Sequence, residues 1–217
     1  MLRSAVADLS LLLTRGYAEK SSIKLVGDRH RLTVRQRLAV QRAACSDDSL
    51  SLREQQRLPT AALVGMPVLI DGYNILITVE SALSGGAVFV GRDGAYRDLA
   101  GIHGTYRKVE ETLPAIRLIG ESLSELGIAE VSWFLDSPVS NSGRLKTILL
   151  EQAESRQWNW RVEVVTNPDT ILNEARDAVV TTDSWILDHG VQWINFAEFA
   201  VANHIQGAWV ISLAESG

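Results

Sequence analysis

The spacing of hydrophobic positions divides this chain in two. Leu2, Val6, Leu9, Leu12 and Leu13 recur at helical spacing and the run stops at Gly16. A second short helix is predicted over 19–26, ending at Gly27, and a third over 34–44 with Thr33 as its N-cap. A polar stretch over 46–60, closed by Pro59, reads as a linker with room for one short helix. Beyond it the pattern changes to short, continuous apolar runs, at 67–71, 130–136, 161–166, 178–183 and 191–195. Helical periodicity over 105–126, 144–156, 170–175 and 197–204 separates them. A further short strand is predicted at 87–90 and an edge strand at 208–212. Strands without polar alternation, interleaved with helices, predict an α/β fold with a mainly parallel, doubly wound sheet. The predicted organisation is a helical region at 1–57, the end of the linker at 58–65 and an α/β domain at 66–217.

Composition sets bounds on this picture. The chain has 217 residues, is 46% hydrophobic and contains no apolar run of membrane-spanning length. The N-terminus carries Asp8 within its apolar run and no small-residue cleavage site, so no signal peptide is predicted and a cytoplasmic location is expected. The single cysteine, Cys45, excludes an internal disulfide and reads as a small packing hydrophobe. Six tryptophans, scattered along the chain, indicate packing in preference to a stacking platform.

Charge sharpens the division. Residues 1–57 hold eleven Lys or Arg against six Asp or Glu, whereas the remainder holds ten against twenty. A basic region joined to an acidic body suits contact with a polyanion on one side and a gathering of carboxylates on the other; solvated helix faces give the same count. The basic residues concentrate at Arg29, Arg31, Arg35, Arg37 and Arg42, with Arg144 and Lys146 at the start of a later helix. Arginine forks match phosphate geometry, so Arg29, Arg31, Arg35, Arg144 and Lys146 are candidate nucleic-acid contacts. The helical region is the size of a helix-turn-helix domain but serves equally well as a docking or homodimerising unit. Asp28 among these cations suits local ion pairs that hold the turn.

The candidate chemistry lies at strand ends. The runs at 67–71, 130–136 and 178–183 each end in aspartate, Asp71, Asp136 and Asp183, and Asp169 opens the helix after another strand. In a parallel sheet these ends share one edge, where ligands bind. Carboxylates held together repel unless a cation neutralises them, and oxygen donors without His or Cys favour Mg²⁺ or Mn²⁺. Taken singly, each aspartate reads as a helix cap. The segment 84–94 is glycine-rich but lacks the Gly-Lys-Ser/Thr ending of a P-loop. Within it Arg92 and Asp93 either border the site or form a structural turn. Arg97, Asp98 and His103 make a polar approach to the next helix, near whose start stand Glu110 and Glu111.

Four segments together resemble the PIN-like nucleases, particularly their NYN branch: VLIDGYNIL, WFLDSP, NPDTILNEA and VVTTDSWIL. The whole chain is also similar to an uncharacterised prokaryotic family that pairs a basic helical region with such a domain. The resemblance spans roughly residues 66–196. It departs from the family in the Asn167-Pro168 before Asp169 and in a longer insertion around 84–103. It implies a PIN-like three-layer α/β/α sandwich. It also implies a ribonuclease in which Asp71, Asp136, Asp169 and Asp183 hold one or two Mg²⁺ or Mn²⁺ ions. Asn74 would orient Asp71 or contact phosphate, and Thr182 or Ser184 would help to hold the site. RNA is the implied partner, with DNA as the alternative. An inactive RNA- or protein-binding module and a small-molecule phosphohydrolase are the competing functions.

Overall fold

The computed structural model describes residues 1–99 and 110–214. His103 and the first part of the helix expected over 105–126 lie outside the described residues. The N-terminal region is made of α1 (Leu2–Thr14), α2 (Glu19–Arg29), α3 (Val34–Ala43) and α4 (Asp47–Gln56). Thr33 and Gln36 form a reciprocal capping box at α3, as the Thr33 N-cap leads one to expect. Gly27 does not end α2; the helix continues to Arg29. Its missing side chain makes room for Arg37, whose guanidinium would lie 2.2 Å from a Cβ at that position. There Arg37 donates to the carbonyls of Lys24 and Leu32 and to Asp28 Oδ1, at 3.1, 3.2 and 2.7 Å.

The central sheet carries five parallel strands in the order β5–β4–β1–β6–β7. They are β1 (Pro67–Asp71), β4 (Glu130–Asp136), β5 (Trp160–Val165), β6 (Ala178–Val180) and β7 (Trp193–Ile194). Alternate side chains enter two cores, as a strand buried on both faces requires. Val68, Ile70, Trp133, Leu135 and Val180 pack with Ile116 and Ile119 on one face. Leu69, Phe134, Val179 and Trp193 pack with Leu172 and Ile186 on the other. The first face is covered by α5 (Gly72–Leu83), α6 (Thr112–Glu125), α7 (Ser142–Arg156) and α10 (Phe196–His204). The second is covered by two short helices, α8 (Pro168–Asn173) and α9 (Ser184–Leu187). The result is a mixed α/β sandwich around a parallel sheet. The sixth helix starts at Thr112, so Glu110 and Glu111 precede it rather than lying in its first turn.

Two of the expected strands belong elsewhere. β2 (Val88–Val90), β3 (Tyr96–Arg97) and β8 (Val210–Ser212) form a separate three-stranded sheet in the order β3–β2–β8. Phe89 and Leu213 join Val6, Leu9, Leu32 and Val40 in one apolar cluster, which fixes the helical region to the body through this small sheet. The stretch 46–60, expected to be a linker with room for one short helix, carries that helix and packs against the body. Ser46 caps α4, whose buried residue is Arg53, and Leu58 N–H donates to Trp193 O on the edge of the central sheet. Leu63 beyond it is fully buried in the main core. No helix among the described residues is long and apolar enough to cross a membrane.

The junction of β1 and α5 has no spare room. A Cβ on Gly72 would stand 2.5 Å from Leu135 Cδ2 and 2.8 Å from the Phe134 carbonyl oxygen, which is backbone and cannot rotate aside. Gly72→Ala is therefore expected to destabilise the fold by about 1–3 kcal/mol, read as a lower urea midpoint at unchanged slope.

Candidate functional site

The order of the central strands reverses beside β1, which lies between β4 and β6. A crevice opens there at the carboxyl ends of the strands, where doubly wound folds bind ligands. It is a cleft of about 740 Å³ whose lining includes Asp71, Asn74, Asp136, Asp169, Thr182 and Asp183. The four aspartates selected from sequence thus share one cavity. The helical region forms part of its wall, through Leu38, Arg42, Cys45 and Arg53 among others.

Asp71 is the buried member, and Thr181 Oγ1 donates to its Oδ2 at 2.8 Å. The same hydroxyl accepts from the Asp183 N–H at 3.0 Å, so one side chain ties β1 to the loop after β6. Burial raises the Asp71 carboxyl to about 7; the Thr181 hydrogen bond opposes this, and Asp183, Asp169 and Asp136 add to it. Asp136 and Asp169 are half-buried. Both carboxyls are raised, first by burial and then by a neighbouring acid, Asp169 for the former and Asp183 for the latter. Asp183 also caps α9, accepting from the backbone N–H groups of Trp185 and Ile186 at 2.8 and 3.3 Å. The capping and cleft-lining roles coexist in one residue.

Asn74 lies in the first turn of α5 and does not hold Asp71. Its Oδ1 accepts from the Thr182 N–H and from Thr182 Oγ1, both at 2.9 Å, which pins the β6–α9 loop instead. The residue on Asp71 is Thr181, whereas Thr182, expected to help hold the site, bonds Asn74; the paired threonines before Asp183 are the sequence signal. Ser184 contributes its backbone carbonyl, which accepts from Arg53 Nη2 at 3.3 Å.

Behind this loop stands a buried ionic group. Arg97 makes two parallel bonds to Asp93, at 2.8 and 2.6 Å, and donates through Nε to the Thr182 carbonyl at 2.7 Å. Arg53 reaches the same Asp93 at 2.6 Å and Asp188 at 2.9 Å. The two guanidiniums, outweighing the cost of burial, hold the Asp93 carboxyl well below the usual range. Asp93 therefore belongs to the structural turn and supports the site from behind. Cys45 is buried nearby, and desolvation pushes its thiol up to about 11, away from nucleophilic use.

The basic residues selected from sequence do not join the acids. Arg29, Arg31, Arg35 and Arg144 are exposed and Lys146 is half-buried; none of the five lines the cleft. Arg29 stands 3.4 Å from Asp8, and Asp28 bonds Lys24 at 2.9 Å and Arg37, the local pairing that the turn's composition allows. Among the described residues no three His, Cys, Asp or Glu side chains are gathered tightly enough to form a ready metal-binding group.

The fold and cleft define an α/β sandwich protein with an acidic crevice at its topological switch point. The chain belongs to the family of a domain of unknown function, DUF5616, which matches residues 60–199. Residues 1–56 match a second, DUF434, a protein of unknown function. A similar relative is an uncharacterized protein of Methanocaldococcus jannaschii, 30% identical over 186 residues, covering 86% of this chain and 88% of the relative. No solved structure matches the chain.

Proposed function

We propose that this chain is a PIN-like, NYN-type ribonuclease that acts in the cytoplasm and hydrolyses RNA phosphodiesters with Mg²⁺ or Mn²⁺. The observation that supports this most is the Asp71 carboxyl, buried, raised to about 7 and within electrostatic reach of three other aspartates in one cleft. Carboxylates that destabilise one another are poised for a cation, and perturbed acids cluster at working sites. The donor set is all oxygen, which fits a hard divalent ion. Asp71, Asp136, Asp169 and Asp183, which line the cleft, would hold such an ion. When bound, such an ion activates water and stabilises the leaving oxygen of a phosphodiester. The chain's own part is positional. Thr181 orients Asp71, Asn74 fixes the backbone of Thr182, and Arg53 and Arg97 hold the loop that carries Asp183.

A second reading, a non-catalytic RNA-binding module, draws on the same lack of a ready ligand group among the described residues. The two are separated by incubating RNA with Mn²⁺ and either the wild type or Asp71→Asn. The nuclease reading expects cleavage that chelator abolishes and that the substitution lowers by about 100-fold or more. Equal cleavage by both proteins overturns it; binding without cleavage selects the second reading. Release of phosphate from small esters alone selects a phosphohydrolase.

A further inference from the structure

Of the six tryptophans, Trp133 and Trp193 are fully buried and Trp160 nearly so, as a packing role requires. Trp185 is different. It is 51% exposed and lines the acidic cleft together with Asp169 and Asp183. Its position is fixed rather than loose. The backbone N–H of Trp185 donates to Asp183 Oδ1, so the indole is carried two residues from a cleft carboxylate. His189 accompanies it: the ring centroids lie 4.3 Å apart at 52°, and His189 Nδ1 is 2.7 Å from the Trp185 carbonyl oxygen. The other strongly exposed tryptophan, Trp209, lies on a separate groove with Phe89 and Ile211. The helical region contributes a cation to the cleft that contains Trp185. Arg42 Nη1 donates to the Asp98 carbonyl at 2.6 Å and stands 3.6 Å from Asp98 Oδ1, and the side chain is 35% exposed.

A half-exposed indole held at the rim of a polar cleft does not serve the core, and its hydrophobic surface has no use in water. A nucleobase offers what it lacks, a flat π-face of any sequence, worth about 1–3 kcal/mol per stacked base in single-stranded complexes. We propose that Trp185 is a stacking subsite for an unpaired base of the RNA strand, next to the phosphate presented to the aspartates, with Arg42 drawing in the neighbouring backbone. This rests on the ribonuclease reading for the identity of the strand, but the binding it describes does not require cleavage. The cleft, at about 740 Å³, is within the roughly 300–1,000 Å³ span of ligand sites. Stacking there favours strands whose bases are free over duplexes.

The test measures binding with Mg²⁺ present, so that the carboxylates are neutralised, by anisotropy of a fluorescein-labelled single-stranded oligouridylate made cleavage-resistant by phosphorothioate linkages and of a matched abasic strand. Trp185→Ala is expected to weaken oligouridylate binding by about tenfold or more and to leave abasic binding unchanged. Trp185→Phe, which retains an aromatic face, is expected to stay within about threefold of the wild type. Thermal unfolding of each variant checks that the fold is intact; the exposed side chain makes loss of fold an unexpected result. Unchanged affinity in Trp185→Ala overturns the proposal, as does an equal loss for both strands or no binding of either strand by the wild type. Base-dependent binding without Mn²⁺-dependent cleavage overturns the nuclease reading and leaves this subsite standing. Cleavage that is indifferent to Trp185 does the reverse.

Discussion

In metal-free buffer at pH 8, Asp71→Asn is expected to be more stable than the wild type. The Asp71 carboxyl is buried and raised to about 7, so its ionised form opposes folding. The sign follows from linkage. A folded value above the unfolded one of about 3.8 means that the neutral acid stabilises the native state fully at low pH. That contribution disappears as pH rises through about 7, and the loss is on the order of 4 kcal/mol. Asparagine has nearly the same shape, carries no charge and keeps an oxygen for the Thr181 hydroxyl, which donates at 2.8 Å in the wild type. The variant's advantage should reach about 2–4 kcal/mol at pH 8 and fade toward pH 4, a rise in Tm of roughly 8–16 °C at the upper end. Urea denaturation across pH 4–8 with chelator present measures it. A variant that is less stable at pH 8, or whose difference from wild type does not move with pH, would contradict the placement of Asp71. Adding Mn²⁺ supplies a second arm: an ion that binds only the native state stabilises the wild type by mass action, and the variant should lose most of that gain.

The legible part of this molecule was what local pattern controls. Continuous apolar runs ending in aspartate identified β1, β4 and the segment of β6, because a strand buried on both faces has no polar alternation to hide it. Their convergence followed from parallel topology alone. What escaped reading depends on partners distant in sequence. α4 is polar along its length and looked like a connector, since its one buried residue, Arg53, answers to Asp93 and Asp188, 40 and 135 positions away. Asn74 looked like a companion of Asp71 only three residues back, whereas its bonds go to Thr182, 108 positions on. Gly27 carried a helix-stop signal but meets a packing need set by Arg37. The basic region is legible as a composition, but the sequence does not show which of its arginines answer acids within the region itself, as Arg29 does with Asp8 and Arg37 with Asp28.

Asp93→Ala is expected to be the most damaging substitution in the body of the protein. Asp93 is paired with Arg97 and Arg53, and all three side chains are at most 6% exposed. Removing the acid leaves two guanidiniums buried without their principal counter-charge, a change that costs about 3–5 kcal/mol in comparable pairs. The loss extends beyond the ion pairs. Arg97 and Arg53 hold the carbonyls of Thr182 and Ser184, so the loop bearing Asp183 loses its support as Asp93 goes. Acid should not mimic the substitution at mild pH. The Asp93 carboxyl is held far below its ordinary value, so its stabilising contribution is present above about 3.8 and lost only as pH falls toward that depressed value. Equilibrium unfolding of Asp93→Ala, Arg53→Met and the double variant separates the lost interaction from the stranded charge. If the penalty is a buried cation without a partner, the double variant is more stable than the sum of the two single losses implies, by about 1–3 kcal/mol. Additive losses would mean that Arg53 and Asp93 act independently, and that α4 is attached to the cleft through Asp188 and the Ser184 carbonyl rather than through Asp93.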